Sequence, residues 1–370
     1  MKFVISTQEF NNLMNRCFNV VPVKTTLPTL ANFLIEAVGD EIVVTATDLI
    51  VAIRCSAKAK VLEAGSTTLP AKRLLQLTRE LTAVNIEVTT TKDITDIVAD
   101  SSRFKLHGMS TQEFPSMPEM SGAVEIQLPQ KELKEKLFRT TFAVSREDNR
   151  YALTGLLMQV TSDMITFVGT DGKRLARSHM ATSNSEAIGN YIIPLKAAEE
   201  MIKNLKDDDK PATLLLNSDK IALKTDDTVM VAKLLKGEYP DVTRVIPEKS
   251  QVVLTLHREE LMSLLRQIAL FIADSMHSVR FSFSQGELRL NANTSDIGEG
   301  KVSMPVNYHG QLLEIAFNPT FFLDILRHTN TETVNLGVTD SYNPGVITDP
   351  EAHQSAGSLF VLMPMRLNEE

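Results

Sequence analysis

The chain has 370 residues, of which 43% are hydrophobic and 23% charged, and its formal net charge is −8. This length and balance are typical of a globular protein with two or three domains and exclude a disordered chain. The acidic total argues against a nucleic-acid partner unless the basic residues gather on one surface, because duplex DNA is a dense line of negative charge.

No apolar run reaches the ~18 residues that a membrane span needs, and the first residues, MKFVISTQEF, lack the apolar centre of a signal peptide. We therefore expect a cytoplasmic protein with no membrane partner. The two cysteines, Cys17 and Cys55, are expected to be buried free thiols rather than a disulfide.

Three sets of similar segments follow one another along the chain. In chain order, each set begins with an amphipathic helix. The pattern predicts helices over 7–18 (TQEFNNLMNRCF), 129–140 (PQKELKEKLFRT) and 257–268 (HREELMSLLRQI). Equivalent apolar positions in these helices hold Phe10, Leu133 and Leu261.

Hairpin patterns come next and end at Thr47, Thr170 and Thr294. In the third, VRFSFSQGELRLNAN, apolar residues alternate with polar ones before a Gln285-Gly286 turn, which is typical of paired β-strands.

A second helix in each set follows a proline. The stretches TTLPAKRLLQLTREL, YIIPLKAAEEMIKNL and IAFNPTFFLDILRHT contain Pro70, Pro194 and Pro319, which are 124 and 125 residues apart. Each proline is predicted at the first helical position, where its missing amide would have no partner. The apolar face of the second of these helices is predicted from spacing to hold Ala198, Met201, Ile202 and Leu205.

These landmarks predict a threefold internal repeat of about 124 residues, longer than a solenoid repeat and long enough for a separate core. The repeats end on Glu113-Phe114-Pro115, on Glu238-Tyr239-Pro240 and around Pro364 in LFVLMPMRL. We predict three α+β domains, residues 1–121, 122–248 and 249–370, each with helices packed on antiparallel sheets.

The six predicted helices with their flanks carry a net charge of +6, which leaves −14 on the rest of the chain. If the helices share one surface, that surface is positive on an acidic protein. The alternative is that Lys72, Arg73, Lys131, Lys134, Lys136 and Lys203 form ordinary solvated helix faces.

Motifs of catalysis and of cofactor binding are missing from the sequence. GTDGKRLA, around Lys173, has a Gly-Lys pair but not the spacing of a phosphate-binding loop, and no histidine stands at metal-ligand spacing. The run Asp207-Asp208-Asp209 is predicted to be a solvated turn. We expect no cofactor, no metal and no catalytic residue, and a protein that works by binding.

Seven motifs keep a characteristic order and spacing along the chain. They are LPTL at Leu27, TATDL at Thr45, TLPAKRLL at Thr68, REDNRYALTGLLM at Arg146, GTDGKRLA at Gly169, EYPDVTRVIP at Glu238 and the closing VLMPMRL. In these motifs the chain resembles, over its whole length, the bacterial DNA polymerase III beta subunit family, the sliding clamps. The resemblance implies a DNA clamp fold and a head-to-tail homodimer that forms a six-domain ring, with helices facing the duplex and sheets outside. Loose, sequence-independent phosphate contacts would let such a ring slide.

Position by position, the resemblance implies DNA-facing residues Lys24, Lys72, Arg146, Arg150, Tyr151 and Lys196. Lys24 and Lys72 replace the arginines common in the family, so the charge remains but the bidentate fork is lost. Glu147 stands where a glutamine is familiar, which puts the DNA contact of that loop in doubt.

The resemblance also implies a dimer interface, with Arg73, Phe104 and Leu106 of one chain against Leu270 and Phe271 of the other. The alternative is that the four apolar residues belong to the internal core.

Finally, the resemblance implies a groove for partner peptides at the end of the third domain. Its residues would be Leu153, Thr170, Gly172, Lys173, Arg174, Leu175, Pro240, Arg244, Val245, Val361, Met363, Pro364, Met365 and Arg366. Methionine suits a site that repacks around different ligands. Pro364 is expected to interrupt strand pairing and leave backbone groups free, and Arg244 and Arg366 to anchor acidic or carbonyl groups.

Two departures from the family pattern concern this groove. Lys173 stands where histidine is frequent, and Asn368-Glu369-Glu370 extend past the usual terminal leucine. Deleting 368–370 is predicted to tighten peptide binding modestly at low salt.

The leading hypothesis is a non-enzymatic processivity clamp. An ATP-driven clamp loader would place it on double-stranded DNA, near the nucleoid, where it would tether the replicative DNA polymerase catalytic subunit, other polymerases and repair proteins through short peptides. A second hypothesis is a scaffold that kept the fold and the groove but does not encircle DNA. A third is an enzyme whose site is too diffuse for motif reading.

Overall fold

The computed structural model describes residues 1–147, 150–182, 186–273, 277–350 and 357–367. The tail 368–370, on which the predicted effect of the terminal carboxylates depends, lies outside these residues. In the described part of the chain, no helix is both long and apolar enough to cross a membrane.

Each repeat contributes two α-helices to these described residues. They are α1 (Thr7–Phe18), α2 (Ala71–Glu80), α3 (Gln130–Thr141), α4 (Leu195–Asn204), α5 (Arg258–Ile268) and α6 (Pro319–Arg327). The first-turn amides of α1 and α6 receive side-chain caps: Ser6 accepts from Glu9, and Asn318 accepts from Thr320. The prediction that each proline takes the first helical position is confirmed for Pro319. It is wrong for Pro70 and Pro194, each of which is the last residue of a strand, one residue before its helix begins.

Strands make up most of the remaining regular structure. The first repeat contributes β1–β9, which are Lys2–Ser6, Asn32–Val38, Glu41–Thr47, Val51–Lys58, Lys60–Glu63, Gly65–Pro70, Asn85–Thr91, Ile94–Ala99 and Ser102–His107. The second contributes β10–β17, which are Val124–Pro129, Gly155–Val160, Met164–Thr170, Arg174–Ala181, Gly189–Pro194, Pro211–Leu216, Lys220–Lys224 and Thr228–Lys233. The third contributes β18–β25, which are Val252–His257, Val279–Ser284, Glu287–Thr294, Gly298–Pro305, Leu313–Phe317, Thr333–Val338, Gly345–Thr348 and Leu359–Leu362.

Side-chain burial follows the predicted periodicities. The equivalent helix positions Phe10, Leu133 and Leu261 are fully buried. The predicted hairpin ends Thr47, Thr170 and Thr294 are the last residues of β3, β12 and β20. Local sequence pattern therefore places both the helices and the turns of each repeat.

The chain divides into two compact units, Met1–Lys134 with Lys196–Leu234, and Glu135–Leu195 with Leu235–Glu370. The second repeat is shared between them because its strands join two different sheets. The predicted domain boundaries at 121 and 248 remain a prediction.

The first unit contains two antiparallel sheets. One has the order β5-β1-β7-β8-β9, and the other has the order β10-β15-β16-β17-β4-β3-β2-β6. The second sheet crosses the repeat boundary, since β17 pairs with β4 from Thr228 opposite Cys55 to Ala232 opposite Val51. Strand pairing thus fuses half of the second repeat to the first.

A polar cluster lies beside this strand pair. Arg16 of α1 contacts the Asp227 carboxylate at 2.8 Å, donates to Thr228 and donates from Nε to Asn204 at 3.2 Å. Lys206 contacts the second Asp227 oxygen at 2.9 Å. Burial alone raises the pKa of the Asp227 carboxyl, but the hydrogen bonds from Arg16 and Lys206 outweigh it, so this pKa lies well below its usual range. The predicted free thiols Cys17 and Cys55 are confirmed as free and buried.

The second unit has the same plan. Its sheets have the orders β14-β11-β12-β13-β25-β24-β23-β18 and β21-β20-β19-β22. Here β13 of the second repeat pairs with β25 of the third, with Arg174 opposite Leu362 and Leu175 opposite Val361. A core of stacked and edge-on rings, Phe281, Phe317 and Phe322, fills the third repeat.

Replacing Asp227 by asparagine is expected to lower the free energy of unfolding by about 1–3 kcal/mol at pH 7, because Arg16 and Lys206 lose a charged acceptor. The pKa of Asp227 is depressed in the folded chain. Its stabilisation is therefore present above the ordinary carboxyl value of 3.8 and lost as the pH falls through the acid range. Denaturant unfolding at several pH values measures the difference, which should shrink on acidification.

Asp226→Asn is the matched control, since Asp226 is exposed and its ion pair with Lys210, at 3.4 Å, lies at the surface. Equal unfolding free energies for Asp227→Asn and the unaltered chain at pH 7 would contradict the role given to this cluster.

Candidate functional site

A groove of about 220 Å³ lies in the second unit. It is lined by Arg150, Leu153, Thr170, Gly172, Arg174, Leu175, Pro240, Asp241, Val242, Val245, Val361 and Met363. The structure therefore brings together nine of the residues predicted for a peptide groove, and it leaves Lys173, Arg244, Pro364, Met365 and Arg366 outside the lining. Their use in binding remains a prediction.

The floor of the groove is apolar and is built by strand register. Leu157, Val168, Leu175, Ile192 and Val361 form one buried cluster, packed against half-buried side chains that include Tyr239 and Val242. The Tyr239 hydroxyl donates to the Val168 carbonyl at 3.3 Å, and burial raises the pKa of this phenol. Leu175 and Val361 of this cluster are among the lining residues, so this part of the groove is apolar.

Two short 3-10 helices supply the walls. Tyr151–Thr154 buries Leu153, and Thr243–Val245 leaves Val245 exposed beside the groove. Asp241, two residues before the second of these helices, accepts from the Thr243 amide at 3.0 Å. Asp241 and Val242 were missed as lining residues, although both lie inside the EYPDVTRVIP stretch that carried the family resemblance.

A tight turn from Thr170 to Arg174 forms one side of the groove. Gly172 has φ +82°, the left-handed region that favours glycine. The Thr170 hydroxyl accepts from the Gly172 amide at 3.1 Å, and Asp171 accepts from the amides of Lys173 and Arg174 at 2.9 and 3.0 Å. Side-chain caps therefore hold the turn, and the Lys173 side chain is exposed.

The backbone around Pro364 differs from the prediction. Strand β25 ends at Leu362 as expected, but the Met363 amide donates to the Lys173 carbonyl at 2.9 Å and the Met365 amide donates to Ala316 at 2.8 Å. The expectation that Pro364 leaves backbone groups free does not hold for these two amides, because the chain uses both to fasten its own last segment. Met363 is 37% exposed and remains available as a side chain.

The predicted anchors on the rim occupy different surroundings. Arg244 is highly exposed and meets Asp241 at 3.2 Å, and Arg366 is exposed. Arg150, predicted to face DNA, is exposed, lines the groove as well and donates to the Asp171 carbonyl at 3.4 Å. Its contact with DNA remains a prediction.

The other predicted DNA-facing residues are described within their own units. In the first, Lys24 and Lys72 are exposed, whereas Lys196 is half-buried, with its ammonium 2.6 Å from Asp48 and 3.1 Å from the Val20 carbonyl. In the second, Arg146 and Tyr151 are exposed. The Lys196 ammonium therefore already has two partners within the chain. Its pairing with the Asp48 carboxylate lowers the net positive charge at this position.

The predicted interface residues also differ in exposure. In the first unit Arg73 is exposed, Phe104 is half-buried and Leu106 is 8% exposed. In the second unit Leu270 is 75% exposed, whereas Phe271 is half-buried and packs against the third-repeat core. The internal-core alternative thus fits Leu106 and Phe271 better than it fits Leu270.

The described ranges contain no group of three or more His, Cys, Asp or Glu side chains placed to hold a metal ion. The chemistry of the site is that of an apolar groove with a polar rim, which binds rather than reacts.

Known proteins resemble this chain over its whole length. Models of the DNA polymerase III beta subunit match along the chain in order, the N-terminal domain at 1–118, the central domain at 127–241 and the C-terminal domain at 243–366. The beta sliding clamps of Chlamydia pneumoniae and Chlamydia muridarum are 51% and 52% identical over 372 residues, covering 100% of this chain and of each relative. A crystal structure of the DNA polymerase III subunit beta from Bartonella birtlesii bound to griselimycin matches with a TM-score of 0.92 and 29% identity, over 99% of this chain and 100% of that chain.

The chain belongs to the family of DNA polymerase III beta subunits, the beta sliding clamps. It is a DNA sliding clamp of the replication machinery and a non-catalytic accessory subunit. The predicted α+β clamp fold with three repeated domains is confirmed.

Replacing Gly172 by alanine is expected to lower the free energy of unfolding by about 1–2 kcal/mol, because a side chain in the left-handed region is strained. The added Cβ would also lie 2.7 Å from an Arg150 nitrogen and displace that side chain from the groove. Denaturant unfolding and a crystal structure of the variant measure both effects.

Gly122→Ala is the control, because Gly122 has φ +68° with no atom within 4 Å of the added Cβ. It should show strain alone. An unchanged Arg150 position in Gly172→Ala would contradict the account of this turn.

Proposed function

We propose that this chain acts as a head-to-tail homodimeric ring that encloses double-stranded DNA and recruits partner proteins through the groove. The observation that carries the proposal is strand pairing across repeat boundaries, which each unit uses once. The same antiparallel pairing between two chains would close a ring.

The predicted interface has features that suit this pairing. Strand β9, which carries Phe104 and Leu106, is outermost in its sheet among the described strands. Leu270, on the short helix after α5, is an exposed apolar side chain that a partner would cover. We propose that these two surfaces meet between chains.

DNA contact in this proposal is loose and electrostatic. Lys24, Lys72, Arg146 and Tyr151 are exposed and would meet phosphates without reading bases. Lys196 and Arg150 would contribute less, because Asp48 pairs with Lys196 and the Arg150 guanidinium donates to the Asp171 carbonyl.

The scaffold reading remains the second candidate, favoured by the Lys196–Asp48 pair and by Glu147 in the loop near Arg146. On that reading the chain binds partner peptides but does not enclose DNA.

The groove fits a short peptide with apolar anchors. Its buried floor and Met363 offer apolar surface, while Arg244 and Arg366 can meet acidic or carbonyl groups at the rim. We propose that the clamp loader, the replicative polymerase and other DNA-processing proteins bind in this groove one after another. We also propose that this exchange takes place in the cytoplasm. We also propose that griselimycin, bound in the relative from Bartonella birtlesii, occupies this groove.

The ring is tested by loading the chain with a clamp loader on nicked circular DNA. Retention through gel filtration, followed by release when the circle is cut, is the expected result, because a topological link is lost only at a free end. A solution mass near twice 41.0 kDa should accompany it.

Peptide binding without retention on the circle would favour the scaffold instead. Release at the same rate from intact and cut circles would contradict enclosure of DNA.

The groove is tested by titrating griselimycin into the Met363→Glu variant. A carboxylate at the apolar surface is expected to weaken binding by at least about tenfold, since it must be desolvated on contact. Calorimetry measures the affinity, and thermal unfolding checks that the fold is retained.

Val253→Glu is the control, because Val253 is an exposed apolar residue of β18 outside the groove lining. Equal affinities for both variants and the unaltered chain would place the compound elsewhere.

A further inference from the structure

The Arg174 guanidinium, although it lines the groove, is already bonded through all three of its nitrogens. Nε meets Asp171 at 3.2 Å, Nη1 meets Asp324 at 2.7 Å, and Nη2 donates to the Phe142 carbonyl at 3.1 Å. Its side chain is only 12% exposed. Arg174 is therefore a fixed part of the groove wall rather than a free anchor for an acidic partner.

Aromatic rings fix the same guanidinium. Its central carbon lies over the rings of Phe142 and Phe321, at 5.3 and 4.6 Å from the centroids. Phe142 in turn stacks on His328 at 4.1 Å and 14°, and Phe138 lies 4.4 Å from the same imidazole. Phe142, the residue after α3, and Phe321 of α6 thus hold an arginine of strand β13.

Asp324 is the centre of this arrangement. One carboxylate oxygen meets Arg174, the other meets Arg327 at 2.9 Å, and the Asp324 carbonyl lies 2.6 Å from Nδ1 of His328. Asp324 is not among the groove-lining residues. It lies on α6 of the third repeat, whereas Arg174 and its turn belong to the second.

We propose that Asp324 is a positioning residue for the groove, which acts by holding the Arg174 guanidinium against Phe142 and Phe321. This inference rests on the proposed function of the groove. Without the Asp324 charge, a largely buried guanidinium keeps one carboxylate, Asp171, and must turn toward water to recover its hydration. The Arg174 guanidinium lines the groove, so it would move into the part of the groove that is open to solvent. The groove would become narrower, and its ligand would bind less tightly.

If the pair between Arg174 and Asp324 were only structural, a different result would be expected. Its loss would lower the stability of the chain and leave the affinity of the folded groove unchanged. Affinity and stability therefore have to be measured on the same variants.

The test titrates griselimycin into the full-length chain and into Asp324→Asn. We expect about tenfold weaker binding by the variant, equivalent to about 1.4 kcal/mol. Arg327→Gln is the matched control, because it removes the other cation of Asp324 on the exposed side and leaves Arg174 paired. Its affinity should equal that of the unaltered chain.

A double-mutant cycle shows whether Asp324 acts through Arg174. In an Arg174→Met background, Asp324→Asn should cost no further affinity. Asp324→Glu, which keeps the charge, should recover part of the loss and keeps the test usable if Asp324→Asn does not fold.

The inference is overturned if Asp324→Asn weakens binding as much in the Arg174→Met background as it does in the unaltered chain, because the loss of affinity would then not depend on Arg174. It is also overturned if Asp324→Asn binds like the unaltered chain. If the unaltered chain itself does not bind griselimycin, the proposed groove fails together with the inference, so the two failures are distinguishable.

Discussion

Pairing of β-strands across repeat boundaries is the constraint on which the rest of the structure depends. Strand β17 of the second repeat hydrogen-bonds to β4 of the first, and β13 of the second hydrogen-bonds to β25 of the third. A repeat by itself would leave these strands as open edges with unpaired backbone groups. Each compact unit therefore takes strands from two repeats, and the second repeat is shared.

The groove depends on the same pairing. The register that sets Leu175 opposite Val361 joins the two repeats and also builds the apolar floor. A slip of one strand by one residue would turn its side chains to the other face of the sheet, so Leu175 and Val361 would no longer share a face. The pair between Arg174 and Asp324 crosses the same boundary, so the groove wall and the junction of the repeats share residues.

Charge is the property that sequence counting described least well. The +6 assigned to the helices includes Arg16 and Lys196, yet acids from outside those helices, Asp227 and Asp48, pair with both. Some of the positive charges counted with the helices therefore form ion pairs between the first and second repeats. Other basic side chains counted with the helices, such as Lys24 in the first unit and Arg146 in the second, are exposed.

The sequence alone determined the threefold repeat, the helix faces and the hairpin ends, because helix and strand periodicity are local and are written in neighbouring residues. It also placed most of the groove lining, through resemblance to a family. Only the tertiary structure decided that Lys196 pairs with Asp48 and Arg174 with Asp324, partners 148 and 150 residues apart. Periodicity carries no information about which distant charges meet, since that follows from strand register and helix packing.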